Sequence, residues 1–232
     1  MSEKQRVAVI IPAAGSGTRM GAKNKLLLPL AGRPLLLHTI EAFETSPLVT
    51  HIILAVSPHT SRFYDENIKN NSSFSKMLPP VRGGATRQDS VRAALCQVCN
   101  QTDMVLVHDG ARPLVSHSLI EAIIEKAAET GAAVPVVRLK DTIKKVCGNR
   151  ILETVRRESL RAVQTPQGFE TALLQRAFDE AEKKDFTGTD EASLVEALGH
   201  TVHTVPGSYE NLKITTPEDL TIAEALLKKR LT

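Results

Sequence analysis

The chain has 232 residues, 42% hydrophobic and 24% charged, enough for a well-buried globular core. Its formal charge is +3 with lysines and arginines scattered, aromatics are 3% and tryptophan is absent, which argues against a nucleic-acid surface or a base-stacking platform. No run is apolar and long enough to span a bilayer, and the N-terminus carries no signal-peptide core, so a cytoplasmic protein without a membrane partner is expected.

The first predicted element is an apolar strand at 7–11, which runs into Pro12, Ala13, Ala14, Gly15, Ser16 and Gly17. Small residues let a backbone approach a ligand closely, and successive N–H groups form an anion-binding nest. Arg19, Lys23 and Lys25 follow, so the loop suits a polyphosphate. It is not a P-loop, because Gly17 precedes Thr18-Arg19. Nor does it fit a dinucleotide fingerprint: after Gly15 and Gly17 the next glycine, Gly21, falls one residue late, and the acid expected further on would be Glu41 or Glu44 inside a helix.

Further strands are predicted at 51–56, 104–108, 132–136 and 162–164, alternating with helices near 34–44, 59–70, 86–99 and 117–130. Pro34 suits a first helical turn, Ser116 an N-cap and Gly131 a helix end. The alternation predicts an α/β, Rossmann-like fold, a mostly parallel sheet with helices on both faces. Ligands of such sheets gather beyond the carboxyl ends of the strands, which singles out the loops at 12–25, 57–59, 83–90 and 109–113. Cys96 and Cys99 have C-x-x-C spacing on the predicted helix, with Cys147 far away, and are expected to be buried or half-buried thiols rather than a redox or metal pair.

The alternation breaks at 141–155, where Gly148-Asn149 is a two-residue turn signal between β-favouring residues. A lone hairpin is marginal in water, so an arm at about 138–160 that pairs with a second copy is expected, with an edge hairpin on the parent sheet as the alternative. Helices at 170–184 and 191–198 follow, the second closed by Gly199, then a short strand at 201–205 and a return to the core at 211–214. Thr216-Pro217-Glu218-Asp219 starts the last helix with a cap, a first-turn proline and two acids. With no repeat or linker, one domain over 1–232 plus an inserted arm is the economical description.

No side chain stands out as a nucleophile. There is no G-x-S-x-G elbow, the seven histidines show no metal spacing, and His108 at a buried strand end is expected to pack. A substrate phosphate needs no base, because with a second pKa of about 6 it arrives ionised. Catalysis then reduces to positioning and electrostatic clamping. Gly83-Gly84 before Thr86-Arg87-Gln88-Asp89-Ser90 allows backbone contact with a base. In His108-Asp109-Gly110-Ala111-Arg112-Pro113, Asp109 stands where Mg²⁺ or sugar hydroxyls could be met, the alternatives being a turn-making aspartate and a structural Arg112 ion pair.

In order from Val9 to about Ala225, the blocks PAAGSGTRMG with NKLLLPL, GGATRQDSV, LVHDGARP, KDTIKKV, VQTPQGF, GTDEASLVE and NLKITTPEDL resemble the 2-C-methyl-D-erythritol 4-phosphate cytidylyltransferase family. The resemblance implies transfer of the cytidylyl group of CTP to 2-C-methyl-D-erythritol 4-phosphate, giving 4-diphosphocytidyl-2-C-methyl-D-erythritol and diphosphate, in non-mevalonate isoprenoid synthesis. It implies a divalent cation, usually Mg²⁺, with no ligand assigned beyond Asp109 as a candidate. Arg19 and Lys25 are implied to stabilise the transition state. Ala13, Ala14 and Gly15 are implied around the nucleotide, with Gly84 and Ser90 on the cytosine side, and Asp109 and Arg112 beside sugar and substrate. Thr142, Arg157, Thr165, Thr189 and Lys213 are implied around the methylerythritol phosphate, Arg157 and Lys213 also as catalytic groups, with Arg157 reaching the neighbouring site of a homodimer.

Two departures stand out. Asn24-Lys25-Leu26 replaces the Pro-Lys-Gln of many members, which keeps the lysine, and Ala85 stands where many carry an acid, so no contact is assigned to it. A ribitol 5-phosphate cytidylyltransferase is the nearest rival, but that family tends to read LAGG and HDAVRP where this chain has PAAG and HDGARP. A non-catalytic nucleotide or sugar-phosphate sensor is a second rival, disfavoured because sensing does not require Arg19, Lys25 and Lys213 together.

Overall fold

In β1 (Val7–Ala13), Val7, Val9, Ile11 and Ala13 enter one apolar core while Ala8 and Ile10 enter another. A strand buried on both faces must lie mid-sheet under two helical layers. A computed structural model describes residues 5–15 and 24–231 and shows that arrangement, so Arg19 and Lys23 lie outside the described residues. After β1 come a two-residue pair, β2 (Pro29–Leu30) and β3 (Arg33–Pro34), then α1 (Leu35–Glu44), β4 (His51–Val56), α2 (Pro58–Asn67), β5 (Val81–Arg82), α3 (Arg87–Leu95), β6 (Met104–Val107), α4 (His117–Thr130) and β7 (Ala132–Arg138). A hairpin of β8 (Ile143–Cys147) and β9 (Arg150–Val155) precedes β10 (Arg161–Val163), β11 (Gln167–Glu170), α5 (Thr171–Lys183), α6 (Glu191–Ala197), β12 (His203–Pro206) and α7 (Pro217–Leu231).

The main sheet has the order β10-β7-β11-β6-β1-β4-β5, with β12 also paired to β7. β1 runs parallel to β4 and β6, β4 to β5, and β12 to β7. Leu36, Ile40 and Phe43 of α1 and Ile120 and Ile123 of α4 fill one core, Val91 of α3 and Leu174 and Phe178 of α5 the other. Ser116 caps α4 by accepting from the Leu119 N–H, and Gly131 closes that helix in the left-handed conformation, as the sequence predicts.

Four expectations need correction. Pro34 lies one residue before α1, at its N-cap, and not in the first turn. β11 is absent from the sequence-based strands, yet it runs antiparallel between β6 and β7. Its Gly168 explains both the oversight and the placement: the residue weakens the strand signal, but a Cβ there would come within 2.6 Å of Ile123 on α4. The Cys-bearing helix ends at Leu95, and Cys96 and Cys99 are exposed because Val91, Ala94, Leu95 and Val98 take the inward positions. Finally, the loop at 57–59 serves as the capping box of α2, where Ser57 and Thr60 satisfy each other's backbone N–H, and it does not reach the cleft described below.

The hairpin forms as predicted, and among the described residues its strands pair only with each other. Gly148 takes a positive φ of 55° at the first loop position, the glycine-first pattern of a tight hairpin. Val146, Ile151 and Leu152 are 59%, 64% and 59% exposed, so the hairpin buries little of its own apolar surface.

Candidate active site

The carboxyl ends of β1, β5 and β6 open onto a cleft of about 520 Å³, lined by Ala14, Gly15, Lys25, Gly84, Arg87, Ser90, Asp109, Lys213 and Thr215 among others. Its size is that of a small-ligand site. Lys25 begins a short 3-10 turn capped by the Asn24 side chain, which accepts from the Leu26 N–H at 3.1 Å. Leu26 anchors that turn in the core, and Lys25 Nζ donates to the Ile214 carbonyl at 3.2 Å. On the opposite wall, Gly83 packs where a Cβ would lie 2.2 Å from Ala14, so only glycine lets the two loops meet. Ser90 is buried, its hydroxyl accepting from the Gly84 N–H at 3.1 Å and donating to the Thr86 carbonyl at 2.9 Å. It therefore shapes the Gly84 loop from within.

Asp109 is the electrostatic centre of the cleft. Its carboxylate lies 2.9 Å from Lys213 Nζ, 3.4 Å from Arg87 Nε and 3.5 Å from Arg112 Nε. Burial by itself would raise the Asp109 carboxyl, but Lys213, Arg87 and Arg112 outweigh it and hold the group well below the usual carboxylate range. Lys213 is placed by its neighbours in sequence: Ile214 N–H donates to the Ala111 carbonyl at 2.9 Å, and the Asn211 side chain donates to the Thr165 carbonyl at 2.8 Å. Arg112 is buried, donates to the Asn211 carbonyl at 2.8 Å, and has its pKa lowered by that burial against the pull of Asp109.

Two residues of this network carry no role in the sequence reading. Arg87, the first residue of α3, bridges Asp109 and Glu191, donating to the latter at 2.7 Å. Glu191 opens α6 and is 1% exposed; burial raises its pKa and Arg87 opposes that rise. The signal for Arg87 was present, since it stands at a strand-end loop behind two glycines. Glu191 gives no such signal, because a first-turn acid is ordinarily read as a helix-dipole contact.

Of the sequence-predicted site residues, Ala14, Gly15, Lys25, Gly84, Ser90, Asp109 and Lys213 meet at the cleft, with Arg112 and Thr165 buried behind Asp109. Ala13 sits in the core, its carbonyl accepting from Thr60 Oγ1 at 3.0 Å. Thr142, Arg157 and Thr189 are exposed and do not line the cleft, and Arg157 donates to the Lys140 carbonyl at the root of the arm. Arg19 lies outside the described residues. His108 packs as expected, edge-on to Phe43 with ring centroids 4.8 Å apart, and burial pushes its pKa down to about 4.

The family model of 2-C-methyl-D-erythritol 4-phosphate cytidylyltransferase matches residues 7–229. The chain belongs to this family. A protein of that name from Lysinibacillus sphaericus is 50% identical over 223 residues, covering 96% of each chain. The crystal structure of 2-C-methyl-D-erythritol 4-phosphate cytidylyltransferase from Thermus thermophilus is 39% identical, with a TM-score of 0.80 over 97% of this chain and 100% of that one. A 4-diphosphocytidyl-2C-methyl-D-erythritol synthase from Anaerococcus prevotii is 28% identical, with a TM-score of 0.85 over the same shares. The chain is thus a nucleotidyltransferase, and its α/β fold is the family's. Among the described residues no helix is long and apolar enough to cross a membrane.

Proposed function

We propose that this chain transfers the cytidylyl group of CTP to 2-C-methyl-D-erythritol 4-phosphate, releasing diphosphate, as a cytoplasmic enzyme. A phosphate oxygen of the polyol attacks the α-phosphorus of CTP, and the bond from that phosphorus to the β-phosphate bridging oxygen breaks. The observation that carries this reading is the convergence of Lys25, Lys213 and the Asp109 network on one cleft beyond the strand ends, in a chain of this family. Two ammonium groups lining one cleft, with Lys25 bonded to the carbonyl of the residue that follows Lys213, can counter charge that grows on the transferring phosphoryl group. Arg19 is assigned the same task from its place in the loop. The resemblance assigns Ala13, Ala14, Gly15, Gly84 and Ser90 to the nucleotide side and Arg112, Thr142, Arg157 and Thr189 to the polyol-phosphate side; of these, Ala14, Gly15, Gly84 and Ser90 line the cleft.

A divalent cation belongs to this scheme, and the donor set suits one that arrives with the triphosphate. Asp109 is the only carboxylate lining the cleft among the described residues, which also hold no cluster of three candidate ligands. Magnesium ions are commonly held by one or two carboxylates plus substrate phosphates. Once bound, the ion would neutralise phosphate charge beside Asp109.

Diphosphate release is expected only when CTP, Mg²⁺ and methylerythritol phosphate are all present. Equal turnover of ribitol 5-phosphate in the same assay would overturn the substrate assignment, and tight binding without release would favour a sensor.

We also propose a single domain whose arm, about 138–160, docks on a second copy, so that Arg157 completes the partner's site. Support comes from the exposed Val146, Ile151 and Leu152 on a hairpin that pairs with no other strand among the described residues. Light scattering is expected to give a dimer, and Leu152→Asp a monomer of much lower activity. A stable, fully active monomer would sink the arm's role.

A further inference from the structure

Resting on that reaction, we propose that His108 and Thr165 form one positioning unit: the buried imidazole directs the Thr165 hydroxyl, which fixes the Asp109 backbone and so aims the Asp109–Lys213 pair at the cleft.

Every bond direction in this unit follows from one fixed end. A carbonyl can only accept, so His108 Nε2, 3.0 Å from the Arg112 carbonyl oxygen, carries a hydrogen and donates it. The ring is wholly buried and its two nitrogens meet a carbonyl and a hydroxyl, with no carboxylate to pair an imidazolium, so it is neutral and has no second N–H. Nδ1 is therefore bare and can only accept. Thr165 Oγ1, 3.1 Å away, must donate to it. With its one hydrogen committed, the hydroxyl turns a lone pair toward the Asp109 N–H, which donates at 3.0 Å.

The remaining bonds close the unit around Lys213. The Asn211 side chain donates to the Thr165 carbonyl at 2.8 Å, and the Asn211 carbonyl accepts from Arg112 at 2.8 Å. Phe43 against the imidazole fixes the ring plane. Thr165 is 5% exposed and does not line the cleft. Its hydroxyl hydrogen is thus committed inside the protein, and through the Asp109 N–H the hydroxyl sets the position of Asp109.

Thr165→Val keeps the shape and deletes the hydroxyl, and Thr165→Ser restores it. The valine variant is expected to lose about 10-fold in kcat, as for a catalytic group slightly displaced, with the KM for methylerythritol phosphate changed less than about twofold. The serine variant is expected to recover most of the rate. His108→Phe should cost a similar factor, and the double variant should be no slower than the slower single one, because both break the same chain. A raised KM with kcat kept would make Thr165 a direct substrate contact, and losses that multiply would show that the two residues act separately; either overturns the proposal. Should His108→Phe fail to fold, nitrogen NMR of isotope-labelled histidine decides. His108 is expected as the Nε2–H tautomer, with an Nδ1 resonance that shifts when Thr165 becomes valine, and an Nδ1–H tautomer or an unmoved resonance refutes the unit. Wild-type protein that fails to release diphosphate would overturn the reaction instead, and the NMR result would still stand on its own.

Discussion

Lys25→Ala is expected to lower kcat by about 10² or more while the KM for CTP changes little. The ammonium group is held from two directions, by the capped turn that starts at Lys25 and by the Ile214 carbonyl, 3.2 Å from Nζ. Such a group cannot follow the substrate, so it acts best on charge that appears where it already points. In the proposed reaction a divalent cation also binds ground-state CTP. The charge that grows on the transferring phosphoryl group has fewer partners. An interaction made mainly in the transition state raises kcat and leaves binding nearly untouched. Steady-state kinetics with both substrates varied provides the check, and a variant with near-normal kcat would remove Lys25 from the chemistry.

The parts of this protein that were legible in its sequence are those with a strong period or a loop chemistry of their own. β1 is a continuous apolar run, and the Gly148 turn needs a residue tolerant of positive φ. The site loops could be located because a parallel sheet places its ligands beyond the strand ends, and Lys25, Gly84 and Asp109 do meet there. β11 was illegible because Gly168 is placed by the close approach of α4, and Gln167 by hydrogen bonds to Asp190 and Ala192, and not by strand propensity. The cysteines misled because free thiols are usually buried, whereas here the apolar face of α3 passes them by. The Glu191–Arg87–Asp109 chain joins residues far apart in sequence, and no local pattern announces such a contact.

Asp109→Asn is expected to cost about 3 kcal/mol or more of folding stability, because removing one partner of a buried ionic cluster strands the others. Arg87 would keep Glu191, but Arg112 and Lys213 would lose their carboxylate. Lys213 would then be free to swing, and kcat should fall by about 10² along with stability. The dependence on pH separates this effect from general damage. Asp109 titrates in the folded protein below its ordinary value of 3.8, so its stabilisation is complete above about pH 4 and fades as the pH drops further. His108 titrates in the opposite sense of charge but also weakens the fold in acid: its folded value of about 4 lies below the ordinary 6.5, so the unfolded chain takes up that proton first. Down to about pH 5 that loss is common to wild type and variant, because the folded value is about 4 with Asp109 present and lower without its charge. Urea unfolding should therefore show a constant gap between the two from about pH 7 to about pH 5, and a gap that closes below about pH 4. A gap that widens in acid, or one well under 1 kcal/mol near neutral pH, would mean that the three cations are held in place by something other than Asp109.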